Sequence, residues 1–429
     1  RDNESFVSLM TLIITLCSFF GYLFPKTYQY SSLVIVVIGL LFYSVLKGNK
    51  IRSEHIRIIM LLIAFAALLL LMAFYSAFPE TSIKSAIHIG AIIGIGMFLT
   101  IQHNWYAKCL KYLLLFSMVH ILFTLFSYVF PNVFANIILP LLPGEISSAS
   151  SLFMIYDLYA GITDQIGRNA FYITVGISII LTALIAKTQR VSLANVLMLT
   201  LMVIALLLTG KRGHLASNII AFLVVIVVYA RVQGKNIAKN LLFSIVTISF
   251  LVIVIIKIVP ETATPFMRFI TAYNEGNIVG GRTELYIFAI ELFKQKPILG
   301  WGFGSFSGFQ DTGTHNVYLQ LLCETGLVGT LLFVSILLSN ILVTLKAIRR
   351  YCRFNKMAQD GFLLFSLYTQ VFYITYAMTG NPLNDGFILI VYMIAMSIPY
   401  AMSLPKGSKR LDNYSSLIDH SRNKAEVYL

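Results

Sequence analysis

The sequence predicts an all-α polytopic membrane protein, on three observations. First, 58% of the 429 residues are hydrophobic and only 12% are charged, roughly half the charged share of an ordinary soluble domain. The mean hydropathy is +0.82. Second, apolar runs recur along the whole chain, each near the roughly 20 residues that a helix needs to cross hydrocarbon. Third, Lys and Arg collect in alternate loops, where such residues set membrane topology. A β-barrel would instead show short segments of alternating polarity. The net charge of +14 follows from those loop cations and argues for no nucleic-acid partner.

Taken in order, the apolar runs predict about twelve spans, at about 5–24, 31–47, 58–77, 85–102, 112–130, 169–187, 191–209, 215–231, 241–259, 325–345, 361–379 and 387–404. The first run is too long for a cleaved signal segment, and no small-residue cleavage site follows it, so it counts as a span. The loop cations are Lys47, Lys50, Arg52 and Arg57, then Lys108 and Lys111, Lys187 and Arg190, and Arg231, Lys235 and Lys239. They continue with Lys346, Arg349, Arg350, Arg353 and Lys356, and end with Lys406, Lys409 and Arg410. All fall on one side if both termini are cytoplasmic, which sets the orientation and agrees with an even number of spans. Residues 1–404 then form one transmembrane domain, and 405–429 a polar cytoplasmic tail. No repeat of fixed period appears. Cys17, Cys109, Cys323 and Cys352 show neither metal spacing nor a pairing pattern.

The opposite face carries two long loops, about 131–168 and about 260–324. By the charge rule this face should be poor in cations. It nevertheless holds Arg168, Lys211, Arg212, Arg268 and Arg282. Lys211 and Arg212 sit in LLLTGKRGHLA, a turn only a few residues long between two spans. Snorkelling to headgroups would explain such cations. So would an anion site, since the Arg fork binds phosphate in a bidentate way. No Asp or Glu falls near the middle of a span, which speaks against an ion-coupled transporter.

The large loop divides into three pieces. GGRTELYIFAIELFKQKP places Arg282 in the first turn of an amphipathic, membrane-hugging helix with Leu285, Phe288, Ile290, Leu292 and Phe293, ended by Pro297. ILGWGFGSF spaces Gly300, Gly302 and Gly304 so that backbone can approach a ligand or a neighbour. It is not a dinucleotide fingerprint, because no strand precedes it. Its Trp301 offers a face for a sugar or an interfacial anchor. THNVYLQLLCETG then predicts Thr314 as helix N-cap, with His315 and Asn316 in the first turn. The helix dipole would keep His315 neutral near pH 7 and able to accept a proton. Glu324, further along, could orient or charge-balance a neighbour. His214, beside Lys211 and Arg212, is a weaker candidate. His55, His88, His103, His120 and His420 read as packing or hydrogen-bonding residues.

The segments TGKRG (209–213), GRTELYIFAIELFKQKPILGWGFGSF (281–306) and HNVYLQLLCETGLVGTLL (315–332), in this order, resemble the O-antigen ligase and polymerase superfamily, integral-membrane glycosyltransferases of the GT-C class. GITDQIGRNAFYITVG (161–176) resembles an earlier outer loop of that family more loosely. The resemblance implies a bacterial inner-membrane enzyme with its site facing outward. Its substrate would be an undecaprenyl-diphosphate-linked oligosaccharide, and its acceptor a second lipid-linked glycan or lipid A–core. Transfer would invert the anomeric carbon and need no metal or other cofactor. Membrane lipids, a flippase and a chain-length regulator are the implied partners. By motif, Arg212 and Arg282 would bind the diphosphate and His315 would be the general base. Lys211, Arg168, Asn316, Tyr318, Trp301 and His214 make up the expected substrate-binding set.

Within the superfamily, the lysine in TGKRG and the absence of a long insert before His315 favour a polymerase. An indistinct pattern of repeated Arg-rich loop motifs keeps the ligase open. A protein O-oligosaccharyltransferase is a third member. The alternative of another class is a transporter or flippase of lipid-linked sugar. It would need charge along a central cavity, whereas this chain concentrates its special residues on one face.

Overall fold

The computed structural model describes residues 2–25, 37, 53–188, 192–276, 281–352 and 357–404. The predicted span at about 31–47, the tail after 404, and the loop cations Lys47, Lys50, Arg52, Arg190, Arg353 and Lys356 lie outside the described residues.

All regular structure among the described residues is helical. In chain order the principal helices are α1 Asp2–Phe20, α2 Ser53–Met72, α3 Pro79–Thr100, α4 Tyr106–Val129, α5 Gly144–Ile155, α6 Ile166–Ile185, α7 Leu193–Leu208 and α8 Arg212–Val232. They continue with α9 Ile237–Ile258, α10 Thr264–Asn274, α11 Thr283–Gln295, α12 Ser305–Gln310, α13 Val317–Tyr351, α14 Met357–Tyr376 and α15 Gly386–Ser403. Eleven of these coincide with predicted spans. Nine of the described helices are long and apolar enough to cross a membrane; α7, with 16 residues, is shorter. Some helices start earlier than the apolar runs do. α8 begins at Arg212 rather than 215, and α13 at Val317 rather than 325. Hydropathy marks the lipid-embedded stretch, whereas helical hydrogen bonding runs on until a cap ends it.

α15 is the most buried span, packed by α1, α3, α13 and α14. α6 is the next, between α4, α7, α8 and α14. Lipid-facing side chains are large and apolar, among them Met60, Leu71, Leu122, Phe243 and Phe250. With no hydrophobic force between helices in lipid, small polar bridges join them. Asn169 donates to Thr124 Oγ1 at 2.8 Å, joining α6 to α4. Asn218 on α8 donates to Thr174 on α6 at 2.8 Å and accepts from Tyr368 on α14 at 2.7 Å. Asn340 on α13 accepts from Tyr400 on α15 at 3.1 Å. His55 and His120 have the expected structural roles, with Nε2 at 3.1 Å from Tyr400 O and 3.2 Å from Phe19 O.

The loops divide between two ends. At one end Gln233 donates to Cys352 O and Tyr351 to Met402 O. At the other, Tyr159 N reaches Leu208 O, Ala77 N reaches Trp301 O, and Val317 N reaches Ala377 O. The 298–306 segment and the residues around Lys211, Arg282 and His315 belong to this second end.

α13 is broken at Gly326, with φ 59° and ψ −163°, a conformation open essentially to glycine alone. The break leaves helical N–H and C=O groups without their usual partners, and the 297–302 segment supplies them. Leu327 N donates to Pro297 O at 2.9 Å, and Val328 N to Ile298 O at 3.2 Å. Cys323 O accepts from Trp301 N at 3.0 Å, and Glu324 O from Gly302 N at 2.8 Å. The closely spaced glycines therefore serve approach to a neighbour. The Glu324 side chain is fully buried. It accepts from Phe306 N and from Gln320 Nε2, each at 3.0 Å, which orients the 304–306 loop.

A Cβ added at Gly326 would lie 2.3 Å from Ile298 O. Gly326→Ala is therefore expected to cost about 2–4 kcal/mol and lower the midpoint of thermal unfolding in detergent. Gly90→Ala, where a Cβ would meet nothing within 4 Å, should hold that midpoint or raise it slightly.

Candidate functional site

Three arginines of the second end each donate to a backbone carbonyl. Arg212, the first residue of α8, donates from Nη1 to Arg268 O at 2.9 Å. Arg268, on α10, donates to Gly210 O at 3.4 Å. Arg282, immediately before α11, donates to Thr379 O at 2.7 Å in the turn between α14 and α15. Lys211 lies close enough to Arg268 and Arg282 to feel both charges. Among the described residues none of these four cations has a carboxylate partner; the ion pairs there are Lys84–Glu80 and those of Arg168 with Asp164 and Asp385. Burial, then Arg268 and Arg282, pull the Lys211 amine down to about 8. Like charges held this close repel, and a multiply charged anion would relieve the repulsion.

His315 stands beside this cluster. Asn316, rather than Thr314, is the N-cap of α13, its Oδ1 accepting from Tyr318 N at 3.0 Å and Leu319 N at 3.2 Å. Thr314 Oγ1 is used locally, accepting from Asn316 N and donating to Asn316 O. The asparagine side chain reaches the free helical amides, which puts the cap two residues later than the sequence predicts. His315 therefore lies outside the first turn, in the left-handed region with φ 54°. Its imidazole is held down to about 4 by burial first, then by Arg282 and Lys211. Neutrality near pH 7 was the expectation, and its source is desolvation and neighbouring cations in place of a helix dipole. Nδ1 is 3.5 Å from Asn381 Nδ2, and the His315 carbonyl accepts from Tyr286 at 3.5 Å. Arg282 occupies the N-cap position of α11, one residue before its first turn.

The other expected residues are placed as follows. Arg168 is buried, paired with Asp164 and Asp385, and stacked on Phe387 with its guanidinium carbon 4.7 Å from the ring centroid. Its charge is thus already compensated. Asp385 also caps α15, accepting from Phe387 N and Ile388 N. His214 is buried against Tyr376, ring centroids 4.1 Å apart, and its Nε2 has no partner among the described residues. Tyr318 donates to Ile374 O at 2.9 Å, fastening α13 to α14. Trp301 donates to Leu292 O at 3.0 Å and lies under Lys296, whose Nζ is 3.8 Å from the ring centroid. Leu285, Phe288, Leu292 and Phe293 of α11 pack toward Phe306, Leu319 and Cys323, while Ile287 and Ile290 remain exposed.

Two residues join the site that the sequence reading left out of it. Arg268 was legible as a cation within the otherwise apolar TPFMRFITAYN, but nothing in the sequence tied it to Gly210 and Arg212. Asn381, in the turn GNPLNDG, carried no signal. Among the described residues no group of three or more His, Cys, Asp or Glu side chains could hold a metal ion.

Residues 197–334, from α7 into α13, match the model of a family described as O-antigen ligase. That segment contains Lys211, Arg212, Arg268, Arg282 and His315. No curated protein matches the chain.

Lys211→Met removes a cation that disfavours imidazolium at His315. It is expected to raise the His315 pKa from about 4 toward its ordinary value. Protonation on acidification would then begin at higher pH in the variant than in the parent. A histidine-labelled NMR titration in detergent, with His315→Gln to assign the signal, checks the direction.

Proposed function

Residues 197–334 match the model of a family described as O-antigen ligase, and from that premise we propose that the chain is a glycosyltransferase of the O-antigen ligase and polymerase superfamily that polymerises lipid-diphosphate-linked oligosaccharide repeat units. The donor is an oligosaccharide on undecaprenyl diphosphate at the outer face of a bacterial cytoplasmic membrane, and the acceptor is a sugar hydroxyl of a second lipid-linked glycan. The observation that carries this reading is a histidine beside a group of four cations that have no carboxylate partner among the described residues, at one end of a membrane bundle.

His315 takes the proton from the acceptor hydroxyl. The acceptor oxygen forms a bond to the anomeric carbon from the side opposite the diphosphate. The carbon–oxygen bond to the diphosphate breaks, and the electron pair leaves with it. Negative charge grows on the leaving group as that bond breaks. Arg212 and Arg282, with Lys211 and Arg268 beside them, are set to stabilise that charge by preorganised electrostatics. A histidine base in hydrogen-bond reach contributes typically about 10²–10⁴-fold. Its low pKa keeps it free to accept a proton at neutral pH, at some cost in basicity.

A ligase that transfers the glycan to lipid A–core is the second reading, favoured by the description of the matched family. The chemistry at the donor is the same and only the acceptor differs. A transporter is less well supported, since the uncompensated cations gather at one end of the bundle.

Purified protein given lipid-diphosphate-linked repeat units alone should produce a ladder of lengthened glycans on a gel. His315→Ala should lower the rate about 10²–10⁴-fold, and Arg282→Ala should lower it as well. Product formed only when lipid A–core is added would make the protein a ligase. No product with either acceptor would sink the enzyme reading.

A further inference from the structure

Asn381 lies in the turn between α14 and α15, outside the segment that matches the family. The turn is tied to the start of α13 at three places. Ala377 O accepts from Val317 N at 2.8 Å. Gln320 and Asn384 exchange two amide hydrogen bonds of 3.1 Å each. The Asn381 amide stands 3.5 Å from His315 Nδ1. Gly313 permits that approach, because a Cβ there would lie 2.4 Å from the Asn381 amide nitrogen. The Asn381 carbonyl accepts from Asn384 N at 3.1 Å and Asp385 N at 3.2 Å, which fixes the root of the side chain. Its Oδ1 is buried and has no partner among the described residues.

A neutral imidazole acts as a base at one nitrogen while the other carries the proton. Nδ1 of His315 faces Asn381, so Nε2 is the nitrogen left to meet a hydroxyl. An N–H directed from the amide at Nδ1 would leave the imidazole proton on Nε2 and remove the base from that side. A half-turn of the carboxamide presents Oδ1 to Nδ1–H instead, and Nε2 keeps its lone pair.

We propose that Asn381 is a positioning residue whose carboxamide oxygen holds His315 in the Nδ1–H form, so that Nε2 is the base. This rests on the assignment of His315 as general base. The charged groups that act on His315 are Arg282, before α11, and Lys211, between α7 and α8. Tyr286 on α11 contacts only its carbonyl. The nearby carboxylates on packed elements are otherwise engaged, Asp385 with Arg168 and the α15 cap, and Glu324 with Phe306 and Gln320.

The test is the rate of glycan transfer from lipid-diphosphate-linked repeat units, with lipid A–core also supplied, measured against pH. Asn381→Ala is expected to lower kcat about 10–100-fold with little change in KM. Asn381→Asp keeps the shape and places a carboxylate on Nδ1–H. It should stabilise imidazolium, raise the His315 pKa and move the acid limb of the profile to higher pH, a displacement that a merely structural role would not produce. His315→Ala with Asn381→Ala should be no slower than His315→Ala alone. An unmoved acid limb in the aspartate variant, an unchanged kcat in the alanine variant, or further loss in the double variant would overturn the proposal. If Asn381→Ala does not fold, the aspartate profile alone decides. A His315→Ala protein with full activity would remove the base assignment itself. Loss in His315→Ala beside a neutral Asn381→Ala would remove only the positioning role.

Discussion

The structure depends on one constraint: within hydrocarbon, every backbone N–H and C=O must find a partner inside the protein. That constraint makes the spans helical and sends irregular backbone to the bundle ends. It also explains why the break at Gly326 is tolerable. The amides and carbonyls released there are taken up by residues 297–302, and the buried carboxylate of Glu324 ties the following loop to the same helix. The break and the loop are held together as one unit.

At that end the electrostatics run against what is favourable in an isolated protein. Lys211, Arg212, Arg268 and Arg282 lie together without a carboxylate among the described residues. Lys211 and His315 are both held below their ordinary values, by burial first and by neighbouring cations second. Arg168 shows the contrasting solution a short way along the same face: two carboxylates and an aromatic ring surround it. A compensated arginine serves the fold. Uncompensated cations have charge to offer an anion, and two of them, Arg282 and Lys211, add to burial in holding the adjacent imidazole below its ordinary value.

The helical class and the approximate positions of the spans were legible because lipid selects for length and hydropathy, which are local properties. Eleven predicted spans appear as helices, and the glycines of the large loop permit the close approach to a neighbour that their spacing suggested; the break at Gly326, inside a predicted span, was not legible. Cap positions were less legible. Thr314 and Asn316 are both good N-caps, and the choice between them turns on whether a hydroxyl or a carboxamide reaches the free amides of α13. Hydropathy also placed the start of α13 too late, because a helix continues past the membrane boundary wherever a cap and a packing partner allow it.

The sequence by itself determined the composition of the site: cations where topology disfavours them, and a histidine ahead of a span. Only the tertiary structure decided which of these groups act on one another. Lys211, Arg282, His315 and Asn381 lie far apart along the chain, and charge and hydrogen bonding act across distances of a few ångströms in space. Arg168 is paired because Asp385 folds back onto it. Arg268 joined the cluster because α10 carries it to Gly210, and Asn381 did so because the α14–α15 turn is bound to α13. Those pairings follow from how the helices pack, and packing is a property of the whole bundle rather than of any one segment.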